Sequence, residues 1–280
     1  MIAIPNHITN IITIHSVSEQ RLSEILASIK MADTFQNSID FNKLIPMPPE
    51  LNIESGSRTT KALNLYKDFL SESAALSTAN QANTMSETEY NAAVLELTEK
   101  YEKFVEHDPD LFSFGKQIYD NIQKHGASDW YDWSIQNWGS KWNSYGYDDR
   151  TPDSADNKIE FLTAWSRVEP VMKQLSERFP DAEFSYQWAD EDVGSNVGEQ
   201  VWQSGEITDQ FIPDAQSREA YELAAEIMAL DLEELGIRLP EQPTQKPSLM
   251  QTLESNRQKS RELFGDPSQT QAKEKGDTER

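Results

Sequence analysis

The chain has 280 residues, is 37% hydrophobic and 10% aromatic, and carries 48 acidic against 25 basic side chains, a net charge of −23. That apolar fraction excludes a globally disordered polypeptide, and the length suits one large domain or one domain with appendages. With no cysteine in the chain, disulfides, thiolate zinc sites, cysteine-ligated iron–sulfur clusters and a cysteine nucleophile are all excluded.

The opening stretch, Met1 to His7, has neither a basic region nor a long apolar run, so it does not read as a signal peptide. No apolar run approaches the roughly 20 residues that cross a bilayer, and no membrane partner is expected. His7–His15 reads as a strand with Ile8, Ile12 and Ile14 on one face. Ser16 followed by Glu19 suggests a capping box, and Leu22, Ile25, Leu26 and Ile29 recur at helical spacing over 17–31. Residues 38–45 read as a second strand, stopped by Pro46, Pro48 and Pro49.

From Thr59 to about His125 the pattern turns helical. Leu63, Tyr66 and Leu70 form one stripe; Ser86 with Glu89 caps a second helix carrying Tyr90, Val94, Leu97, Tyr101 and Phe104. A third helix starts near Pro109 with Leu111, Phe114, Ile118 and Ile122. Ser128 can cap a short helix over 129–137, with Gly139 at its C′ position. That helix opens the segment Asp129–Asn143, which holds four of the seven tryptophans.

Residues 158–166 read as a strand with Phe161, Thr163 and Trp165 facing together, and Glu169–Pro170 starts a helix. Residues 182–189 form a strand carrying Phe184, Tyr186 and Trp188, and 199–207 a further one. Asp214 to Leu235 reads as a helix ended by Gly236. The expected domain is residues 1–238 with a helical insertion at about 59–126. Residues 239–280 are expected to be a flexible tail that a short helix could interrupt. The order strand–helix–strand, insertion, strand–helix–strand predicts an α+β, ferredoxin-like antiparallel sheet with helices on one face and an extra C-terminal helix.

These blocks also resemble a known family. Pro5–Asn10, Phe41–Pro48, Trp138–Asn143, Phe161–Ser166 and Trp188–Glu191 are similar to the uncharacterised plasmid and phage proteins defined by the YubB ferredoxin-like domain, the Api92-like proteins. The resemblance implies a mobile-element protein in the cytoplasm of a bacterial host. It implies no catalytic residues and no cofactor, and it leaves 59–125 and the residues beyond 239 uncovered.

Charge supplies the functional expectation. Residues 145–239 hold 22 acids against 7 bases, a field that repels phosphate backbones and attracts basic proteins. Direct nucleic-acid binding is therefore not expected. The expected partner is a host protein with a basic surface, such as one that handles nucleic acid in defence. The expected contacts are Asp148, Asp149, Asp190, Glu191 and Asp192. The competing reading is that this charge serves solubility. The spacing of these acids matches no EF-hand loop. His7 and His15 lie about 26 Å apart at strand rise, too far to share a metal, so none is expected. Trp130, Trp138 and Trp142 with nearby carboxylates could instead line a small-ligand or catalytic pocket, although tryptophans in such a run are more often core. No nucleophile-elbow, zincin or phosphate-loop pattern is present.

Overall fold

The structure is a computed structural model that describes residues 6–31, 39–146 and 157–240. Its elements in chain order are β1 (His7–His15), α1 (Glu19–Ile29), α2 (Ser57–Gln81), α3 (Glu87–His107), α4 (Leu111–His125), α5 (Trp130–Trp138), β2 (Lys158–Ala164), α6 (Glu169–Arg178), β3 (Glu183–Asp190), β4 (Gly198–Gln203), β5 (Glu206–Phe211) and α7 (Arg218–Met228). They divide into two compact units, Met47–Gln136 and residues 1–46 with 137–280. The expected tail lies almost wholly outside the described residues. No described helix is long and apolar enough to cross a membrane.

The second unit is built on one five-stranded sheet of order β2-β1-β3-β4-β5, with every pair antiparallel. β1 lies between β2 and β3, so β2–α6–β3 is a split βαβ unit with β1 filling the gap. The register sets Ile12 opposite Ile159 and Tyr186, and Asn10 opposite Phe161 and Trp188. Because side chains alternate along a strand, Ile8, Ile12, Ile14, Phe161, Phe184, Tyr186 and Trp188 share one buried face. α6 covers that face through Val168, whose N–H donates to the Tyr186 hydroxyl.

The opposite face is also covered. Ile11, Ala189 and Val197 pack against Ala220, Leu223, Ala224 and Ile227 of α7. The extra C-terminal helix thus occupies the second face of the sheet, which is why seven of the eight residues of β3 are buried.

Four elements differ from the sequence reading. The cap of α1 is Ser18, whose hydroxyl accepts from the Arg21 N–H, while Ser16 sits at φ 64° and closes β1. Residues 39–46 join no strand; Asp40 accepts from the Asn42 N–H and starts a 3-10 turn at Phe41–Lys43. The single strand read over 199–207 is a hairpin, because Ser204 (φ 52°) and Gly205 (φ 86°) form a two-residue turn. α7 is shorter at both ends than the helix read over 214–235: its cap is Ser217, whose hydroxyl accepts from the Ala220 N–H, and it stops at Met228, since Ala229 turns left-handed at φ 52°.

The first unit is helical, as the periodicity predicts. Ser86 and Glu89 form the expected capping box of α3. Ala62, Leu65, Tyr101, Leu111 and Ile118 form its core, with Phe69 and Phe112 packed around them. Gly115 lets α4 approach α2 closely: a Cβ there would sit 2.2 Å from the Ala62 carbonyl oxygen.

Candidate functional site

A buried polar network fixes the centre of the sheet. The Tyr186 hydroxyl donates to Asn10 Oδ1 at 2.7 Å, and Asn10 Nδ2 donates to Thr163 Oγ1 at 2.9 Å. The Thr163 hydroxyl in turn donates to the Ser166 carbonyl. Every member is paired, the condition under which such a network rigidifies a core. It draws on three of the blocks that carry the family resemblance or border them.

Four of the five blocks, all but Phe41–Pro48, also meet at the end of the sheet where β1 begins. The Trp165 N–H donates to the Asn6 carbonyl and the Glu191 N–H to the His7 carbonyl. His7 Nδ1 lies 2.7 Å from the Tyr145 hydroxyl, and Tyr145 stands edge-on to Trp142. The Lys141 ammonium lies over two rings, 4.5 Å from Trp142 and 5.0 Å from Trp165. Burial, and then the charge of Glu191, pushes the Tyr145 phenol above its ordinary value.

The three tryptophans proposed as a pocket have three different environments. Trp138 is buried; its indole N–H donates to the Ile45 carbonyl and its ring meets Phe41 edge-on. Trp130, at the start of α5, is half-buried against Tyr131. Trp142 is 38% exposed, so the segment is not core throughout. Trp165 does not continue the Phe161/Thr163 face: at φ 71° it leaves the strand and turns toward Lys141.

The acidic residues also divide. Asp148 and Asp149 lie outside the described residues. Asp190 is buried and structural, its Oδ1 accepting from Asn6 Nδ2 and from the Asp192 N–H. Glu191 and Asp192 are exposed at the turn after β3. Sequence reasoning passed over further exposed carboxylates: Glu206 and Asp209 on β5, and Asp214, Asp231, Glu233 and Glu234 around α7. The signal was in the composition, since residues 181–240 contain 15 acids and only Arg218 and Arg238 as bases. Arg218 is itself paired with Glu222. Among the described residues no group of three or more His, Asp or Glu side chains could hold a metal.

An antiparallel sheet with a split βαβ unit and helices packed on it defines an α+β protein of ferredoxin-like class. Residues 138–231, about a third of the chain, match the family model described as "Ferredoxin-like domain in Api92-like protein". It is also similar to the crystal structure of a protein api92 from Yersinia pseudotuberculosis, at 14% identity over 76% of this chain and 99% of that one, with a TM-score of 0.29. No curated protein matches the chain.

Proposed function

We propose that this chain is an acidic interaction protein of a phage or plasmid. In this reading it works in the bacterial cytoplasm by binding the basic surface of a host protein that handles nucleic acid, such as a defence protein. One observation carries the reading. Glu191, Asp192, Glu206, Asp209, Asp231 and Glu233 are exposed with no cation at ion-pair distance among the described residues, in a stretch holding 15 acids and two arginines. Such a field steers basic partners and repels phosphate. The test is retention of host proteins on the immobilised chain beside a variant with those six carboxylates changed to amides. A partner held by the chain, released by salt and not held by the variant supports the reading. Equal retention by both overturns it.

A second reading rests on the rings around Lys141. His7, Tyr145, exposed Trp142 and nearby Glu191 provide a proton-carrying pair beside an aromatic surface, suited to a small ligand or to catalysis. Quenching of tryptophan fluorescence by a ligand, abolished in Trp142→Ala, is the observation that would promote it.

A further inference from the structure

β5 is the outer strand of the sheet, and among the described residues it pairs with β4 alone. Residues 206–210 are all exposed. The Ser204–Gly205 turn makes Gln203↔Glu206 the first, hydrogen-bonded pair of the hairpin, and Trp202↔Ile207 follows it. Pairs alternate in an antiparallel ladder, so the N–H and C=O of Ile207 point away from β4 toward the open side. The strand, Glu-Ile-Thr-Asp-Gln-Phe, contains neither the lysine nor the proline that commonly guards such an edge.

The side chains sort by face. Glu206 and Asp209 lie opposite Gln203 and Val201, on the face that α7 covers, while Ile207 and Gln210 lie opposite Trp202 and Gln200 on the other. Thr208 is the extra residue at the register shift, and its hydroxyl donates to the Val201 carbonyl. An added strand would therefore set one row of side chains beside two carboxylates and the other beside Ile207. Opposite charges and apolar pairs across strands are both stabilising, and like charges are not.

We propose that β5 takes an extended segment of the partner protein by strand addition, the segment alternating basic with apolar residues. The inference rests on the reading of the chain as a binder of basic proteins and states where and how that partner docks. Backbone hydrogen bonds to Ile207 would supply affinity, and the two rows would supply selectivity. A second copy of this chain is a poor occupant, because it would bring Glu206 and Asp209 against carboxylates of its own kind.

The test is fluorescence anisotropy with the full chain and a labelled eight-residue peptide alternating lysine with valine. It is repeated with the same peptide N-methylated along one backbone edge at a time. Methylation leaves charge unchanged and removes ladder donors, so strand addition predicts at least tenfold weaker binding for one of the two edges. Ile207→Pro, which removes an outward N–H, should weaken the parent peptide similarly while circular dichroism stays unchanged. If that variant does not fold, the methylated peptides on the unaltered chain decide alone. Equal, salt-sensitive binding of all three peptides overturns strand addition and leaves the acidic-surface reading standing. No binding of any peptide also overturns strand addition, and the broader reading is then judged by the salt-eluted capture above.

Discussion

The Tyr186 hydroxyl stands between Asn10 Oδ1, to which it donates at 2.7 Å, and the Val168 N–H, from which it accepts at 2.9 Å. Two central strands and the start of α6 are tied through one oxygen. Asn10 and Val168 are both fully buried, so neither partner can turn to water if the hydroxyl is lost. Burial, the largest cause, pushes the phenol well above its ordinary value.

Tyr186→Phe should therefore destabilise the chain by about 2–3 kcal/mol, the cost of leaving buried polar groups unsatisfied. The pH dependence has a definite sign. A tyrosine whose folded value is raised contributes fully below the unfolded value near 10, and that contribution is lost as pH climbs from there toward the folded value. Urea unfolding at pH 8 and above pH 10 should show a decline in stability that is shallower in Tyr186→Phe. Identical slopes would mean that the phenol is not held neutral by the fold.

Trp138 and Trp142 stand four residues apart in sequence and should respond oppositely to truncation. Trp138→Ala removes a buried ring and the donor to the Ile45 carbonyl, a change that costs about 3–5 kcal/mol in protein cores. Trp142 is 38% exposed, and Trp142→Ala should cost under about 1 kcal/mol, in the range of surface substitutions. Thermal melts of the two variants check this. A large loss at Trp142 would show that Lys141 and Tyr145 depend on the ring for their placement.

In the helical unit the sensitive position is small. Gly115→Ala gains helix propensity, worth about 1 kcal/mol, but drives a Cβ to 2.2 Å from the Ala62 carbonyl oxygen. Backbone atoms cannot swing aside, so overpacking of about 1–3 kcal/mol should prevail. Hydrogen exchange should quicken in α2 and α4, while the strands of the sheet keep their protection. Unchanged exchange in α2 would mean that the helices separate without cost.

The sequence was readable where one local signal agreed with the tertiary demand. The isoleucine alternation of β1, the Ser86/Glu89 box of α3, and Gly139 at φ 78° after α5 are cases of that kind. It was unreadable where a side chain captured the backbone. Asp40 takes the Asn42 N–H and starts a 3-10 turn where the pattern of residues 38–45 reads as a strand. The β4–β5 hairpin was hidden because Ser204–Gly205 is so short that both strands read as one. Exposure of Trp142 left no mark in the sequence either, since an indole on the surface and one in the core are the same letter. The carboxylates of β5 and α7 were countable but not placeable, because only the fold decides which of 15 acids in residues 181–240 face solvent and which, like Asp190, are enclosed.

The exposed carboxylates should act on encounter more than on residence. If they steer a basic partner, changing Glu191, Asp192, Glu206 and Asp209 to amides should slow association by roughly tenfold or more at low salt. Dissociation should change less, because peripheral charges act mainly before contact is made. The difference should shrink as added salt shortens the Debye length below about 10 Å. Glu191 and Asp209 engage no described cation, so removing their charge relieves repulsion, and the melting temperature should hold or rise slightly. Surface plasmon resonance against the captured partner, at 50 and 500 mM salt, gives both rates. An association rate indifferent to salt and to the substitutions would assign the charge to solubility and return the search to the rings around Lys141.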